Sequence, residues 1–193
     1  MGLFLSHEGA NPMHTGTPPS EWITRWGALA PAHATVLDVA CGSGRHLRWW
    51  AQRGHAVTGV DRDALALAGL RDVGECVLAD LENAPWPLPG RTFDVVVVTN
   101  YLWRPLLPTI VASVAPGGWL LYETFSLRQA EIGRPRRAEF LLAPGELQAL
   151  CTGWDILALE DTELSAPRRF VQRIAARRPV AASLESLASQ GTS

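Results

Sequence analysis

The stretch Val36-Leu37-Asp38-Val39-Ala40-Cys41-Gly42-Ser43-Gly44 constrains this chain more than any other. Residues 35–40 read as a short apolar strand that runs straight into small residues, so the backbone must turn tightly as it leaves the strand. A helix is expected next. Leu47, Trp50 and Ala51 have the i, i+3, i+4 spacing of a buried stripe, and Gly54 reads as the stop.

The same alternation continues along the chain. Ser20 is a suitable N-cap for a short helix carrying Trp22, Ile23 and Trp26. Residues 56–60 form a second strand ended by Asp61, and residues 63–72 a second helix. Residues 75–79 form a third strand ended by Asp80, and the proline-rich stretch 85–90 is a loop. Residues 93–99 hold four consecutive valines, as in a strand buried on both faces of a parallel sheet. Leu107, Ile110, Val111 and Val114 stripe the next helix, which Pro116-Gly117-Gly118 is expected to end before a fifth strand over 119–124. A short helix over 144–151 and two strands over 154–160 and 170–176 close the pattern.

Strands alternating with helices predict an α/β fold, a Rossmann-like doubly wound sheet. Seven strands are expected, mostly parallel, with an antiparallel final strand. Residues 1–19 read as a mobile leader, 20–178 as the folded domain and 179–193 as a disordered tail. Within the domain, 126–142 reads as a candidate lid, because it follows the fifth strand and lacks periodicity.

A chain of 193 residues suits one core. The net charge of -2 argues against a nucleic-acid partner, and no apolar run is long enough to cross a membrane. The three cysteines, Cys41, Cys76 and Cys151, lie far apart without a CxxC pair, which points to reduced thiols in the cytoplasm and to no metal site.

In a doubly wound sheet, ligands bind beyond the carboxyl ends of the strands. Small residues at 40, 42 and 44 let the backbone approach a ligand, although a plain strand-to-helix turn would use them too. The next helix aims its first N–H groups at the same place. Asp61, 19 residues after Gly42, can accept both hydrogen bonds of a ribose diol; helix capping, its alternative role, could fall to Asp63. Asp80 lies 19 residues further on, where it can take a proton from an adenine amino group or act as an ordinary loop acid. A dinucleotide cradle would want glycine where Leu47 stands, and a Walker loop needs a lysine, which the sequence lacks.

With these residues in place, the chain resembles the class I S-adenosylmethionine-dependent methyltransferases. It is most similar to their small stand-alone type 11/12, tellurite-resistance-like branch. The resemblance rests on residues 37–46, Gly59-Val60-Asp61, Ala79-Asp80-Leu81, residues 93–97 and Ala115-Pro116-Gly117-Gly118. It implies S-adenosylmethionine as cofactor, with its methionine end on the backbone of Ala40, Gly42 and Gly44 and its ammonium near Asp38. It further implies ribose on Asp61, adenine along Arg62 and against Asp80 and Leu81, and Asn100 and Tyr101 facing the methyl group. The acceptor is expected to be a small molecule. Tyr101, His46 and Glu123 are candidate bases at the carboxyl edge. An NAD-type oxidoreductase and a non-catalytic S-adenosylmethionine-binding module remain the alternatives. The arginines of the lid, Arg128, Arg134, Arg136 and Arg137, leave open whether the acceptor is anionic.

Overall fold

A computed structural model describes residues 16–180, so most of the expected leader and tail lie outside the described residues. The elements run α1 (Glu21–Gly27), β1 (Thr35–Val39), α2 (Arg45–Ala51), β2 (Ala56–Asp61), α3 (Ala64–Ala68), β3 (Glu75–Leu78), β4 (Phe93–Thr99), α4 (Leu107–Ala112), β5 (Val114–Phe125), α5 (Glu146–Leu150), β6 (Asp155–Ser165) and β7 (Arg168–Arg177).

The seven strands form one sheet in the order β3-β2-β1-β4-β5-β7-β6. β1 to β5 pair in parallel, while β7 runs antiparallel to both β5 and β6. The predicted α/β class, strand number and antiparallel final strand are all present. The order reverses between β1 and β4, and that switch point opens a crevice at the carboxyl ends.

The four valines of β4 explain its central position. All four are fully buried: Val96 and Val98 face one core layer, Val95 and Val97 the other. The first layer packs under α4 and α5 through Ile110 and Leu147, and the second under α1, α2 and α3 through Trp22, Trp50 and Leu67. Burying a large apolar side chain contributes ~2–3 kcal/mol, so Trp22 and Trp50 pin α1 and α2 to the sheet. Ser20 caps α1 as expected, its hydroxyl accepting the Trp22 N–H at 3.2 Å.

Several boundaries differ from expectation. α3 stops at Ala68 because Gly69 takes the C-cap, not at residue 72. α2 ends at Ala51, and Gly54 serves the turn beyond it with φ 81°. The third strand ends at Leu78, so Asp80 lies in the loop past it. Pro116-Gly117-Gly118 does not separate a helix from a strand; it forms an irregularity inside β5, where pairing jumps from Phe93–Val114 to Val95–Trp119. β6 and β7 are longer than expected and meet at Ala166–Pro167, because partner-strand pairing extends them beyond their apolar runs.

Candidate active site

The turn after β1 is built from left-handed backbone: φ is 56° at Ala40, 54° at Gly42 and 75° at Gly44. The two glycines are required for different reasons. A Cβ on Gly44 would lie 2.4 Å from Leu70 Cδ2, so that position must be bare for the buried Leu70, two residues past α3, to keep its place. A Cβ on Gly42 would meet nothing within 4 Å, so its bareness leaves open space above the turn.

Asp61 holds this turn in shape. The Gly42 N–H donates to its Oδ2 at 2.7 Å and the Asp63 N–H to its Oδ1 at 2.9 Å. Asp63 caps α3, accepting from Leu65 and Ala66 N–H at 2.9 and 3.1 Å, which leaves Asp61 free of capping. Each Asp61 oxygen keeps a further lone pair for a ligand. Asp80 likewise folds its own loop, accepting from Glu82 and Asn83 N–H at 3.0 and 3.3 Å and from Asn83 Nδ2 at 2.9 Å.

A cleft opens beside the turn, lined by Ala40, Asp61, Arg62, Ala79, Asp80, Leu81, Glu82 and Tyr101. Six residues singled out in the sequence thus meet in one cavity; Ala79 and Glu82 were missed, though both adjoin predicted residues. The Tyr101 hydroxyl is buried without a hydrogen-bond partner among the described residues. Burial foremost, then Glu82 and Asp80, raises its pKa well above the tyrosine range, so at neutral pH it is a donor rather than a base.

Asp38 lies deeper. It is fully buried, and neither carboxyl oxygen has a hydrogen-bond partner among the described residues. Burial pushes its pKa up to about 8; Arg45 opposes the shift and Asp61 adds to it. His46 Nδ1 lies 3.8 Å from its Oδ2, beyond hydrogen-bond reach. Burial and Arg45 lower the His46 pKa to about 3, so the ring is neutral and no ion pair forms. His46 Nε2 accepts the Ser20 N–H at 3.1 Å, tying α2 to the start of α1.

Of the other candidates, Asn100 lies just past β4, exposed, with φ 53°, and its N–H donates to the Glu123 carbonyl at 2.9 Å. Glu123 is fully buried; its carboxylate accepts from Ser20 Oγ at 3.0 Å and faces Arg169 and Arg173. Neither His46 nor Glu123 lines the cleft.

The segment 126–142 is pinned at its base. Leu142 N–H donates to Phe125 O at 2.9 Å and Leu127 N–H to Leu142 O at 3.1 Å. Arg104 clamps the far side, donating to the carbonyls of Glu139 at 2.9 Å and Leu141 at 2.8 Å while pairing bidentately with Glu146. Nothing in the periodicity around Arg104 signals this role. Arg134, Arg136 and Arg137 stay exposed at the tip.

This sheet order, with its glycine turn at the switch point, defines the class I methyltransferase fold. The chain aligns with TehB from Haemophilus influenzae at TM-score 0.65 and 21% identity, covering 82% of this chain and 61% of that one. Residues 36–118 match the family "Methyltransferase domain", in line with the resemblance. It is 33% identical over 138 residues to trans-aconitate 2-methyltransferase from Paracidovorax citrulli, covering 66% of this chain and 52% of that protein. It is 30% identical over 140 residues to malonyl-[acyl-carrier protein] O-methyltransferase from Pectobacterium atrosepticum, covering 67% and 48%. The chain spans about half the length of these curated relatives.

Proposed function

We propose that this protein is a cytoplasmic S-adenosylmethionine-dependent methyltransferase acting on a small-molecule acceptor. The observation that carries the proposal is the cleft at the switch point of a matched methyltransferase domain, with Asp61 and the Gly42 turn at its edge. The residues suit the cofactor. The unpartnered Asp38 oxygens can receive an ammonium group, the open space at Gly42 admits a chain against the backbone, and Asp61 can accept from a ribose diol. Asp80, Leu81 and Arg62 line the side of the cleft suited to the adenine. The small-molecule acceptor draws on the trans-aconitate relative, and the cytoplasmic setting on the three free cysteines.

The bound cofactor supplies a methyl group on positively charged sulfur, so the chain's own task is alignment, which can contribute ~7 kcal/mol or more. Asp38 and the 40–44 backbone hold one end and Asp61 the middle. Tyr101, which lines the cleft and keeps a protonated hydroxyl, helps to orient groups beside them. Neutral His46 and the paired Glu123 serve the frame rather than proton transfer. Calorimetry tests the proposal: S-adenosylhomocysteine should bind at micromolar dissociation constant, ~8 kcal/mol. Binding of NAD in its place would overturn the assignment.

A further inference from the structure

The turn that follows β1 carries glycine at 42 and 44, so sterics alone do not fix how its peptide planes face. Hydrogen bonds fix them instead. The Gly42 N–H donates to Asp61 Oδ2 at 2.7 Å, and the Gly44 N–H donates to the Cys41 carbonyl at 3.0 Å. A further bond comes from a side chain that does not line the cleft. Arg48, partly exposed on α2, donates through Nη1 to the Ser43 carbonyl and through Nη2 to the Gly69 carbonyl, the latter at 2.9 Å.

The Ser43 carbonyl depends on that guanidinium. Among the described residues no backbone N–H donates to it, because the ladder of α2 begins one residue later, with the Arg48 N–H on the Gly44 carbonyl at 3.0 Å. In a trans peptide the Ser43 C=O and the Gly44 N–H point in opposite directions. Cys41 and Arg48 therefore hold the two ends of one peptide plane. Gly69 is the C-cap of α3, the helix that Asp63 opens just after Asp61. Leu70, next to it, packs where Gly44 has no Cβ. Arg48 thus ties the glycine turn to the segment that carries Asp61. Without this clasp the Ser43–Gly44 peptide could rotate about its glycine, and a ligand would have to order it on binding.

We infer that Arg48 is a positioning residue for the cofactor: from outside the cleft it holds the Ser43–Gly44 peptide in the orientation that the methionine end meets. That this ligand is S-adenosylmethionine rests on the methyltransferase proposal, whereas the clasp on the turn does not. Two carbonyls from different elements need two nitrogens in a rigid fork, which arginine has and lysine lacks.

The test pairs calorimetry with S-adenosylhomocysteine and hydrogen exchange of the ligand-free full chain, for the parent, Arg48→Gln and Arg48→Lys. Affinity should fall about tenfold in Arg48→Gln. Exchange of the Gly44 N–H should speed up about tenfold there, while the N–H groups of β4 keep their parent rates. Arg48→Lys keeps the charge but not the fork, so both readings should stay within about threefold of Arg48→Gln. Unchanged affinity in Arg48→Gln, faster exchange throughout the sheet, or full recovery in Arg48→Lys would each overturn the assignment. If Arg48→Gln fails to fold, Arg48→Lys decides by the same two readings; failure of both to fold would make Arg48 structural and overturn it too. A parent chain that binds no S-adenosylhomocysteine, yet shows the local change in exchange, would uphold the clasp and overturn the methyltransferase proposal instead.

Discussion

Asp61 does two things with one carboxylate: it fixes the Gly42 turn and faces the cleft. Asp61→Ala should therefore lower ligand-free stability by ~1–2 kcal/mol, because the Gly42 and Asp63 N–H groups lose their acceptor. Cofactor affinity should fall by a further ~2 kcal/mol or more through loss of charge-assisted bonds to the ribose. Chemical denaturation and calorimetry measure the two effects separately, and an unchanged dissociation constant would move the ribose elsewhere. The glycines of the same turn should part company. Gly42→Ala faces open space and costs only the ~1–2 kcal/mol of a left-handed alanine, yet it should block the cofactor. Gly44→Ala also drives a methyl group into Leu70, so its loss should be read first in thermal stability.

At the level of elements, the 126–142 segment is an ordered strap with a free tip. The bonds from Arg104 to the Glu139 and Leu141 carbonyls secure its far side, while Arg134, Arg136 and Arg137 reach solvent. We expect the triple change of these three arginines to glutamine to leave S-adenosylhomocysteine affinity within about threefold, under ~1 kcal/mol, if the tip gates the acceptor side. Loss of cofactor binding in that variant would assign the tip to the cofactor instead. Arg104→Ala should loosen the strap without unfolding the sheet, which hydrogen exchange at residues 138–142 would report as faster exchange than in the parent chain.

For the whole molecule, the buried Asp38 carboxyl makes stability depend on pH. Its folded pKa, about 8, lies above the ordinary aspartate value of 3.8 that the unfolded chain would show, so the folded chain keeps a proton that the unfolded chain releases. The contribution is fully present below the unfolded pKa. It falls as pH rises toward the folded value and levels off above it. Urea midpoints measured from about pH 5 to about pH 9 should decline with this sign in the parent chain and less steeply in Asp38→Asn. An equal slope in both would mean that Asp38 is ionised throughout. Cofactor binding near neutral pH should release a proton, since an ammonium group favours the charged carboxylate. Calorimetry in buffers of different ionisation enthalpy detects it.

What the sequence determined by itself is local and periodic. The four valines of β4 could only be a strand covered on both faces, and the small residues from Ala40 to Gly44 could only be a tight turn, because hard-sphere sterics and side-chain period act within a few residues. Asp61 and Asp80 were legible because strand ends fall at regular intervals in such a fold. The tertiary structure alone decided the rest. Glu123 and His46, equal candidates with Tyr101 in the sequence, became buried members of the frame once Arg169, Arg173 and Ser20 closed on them. No local pattern carries that information, because burial and charge compensation exist only after the strands have paired.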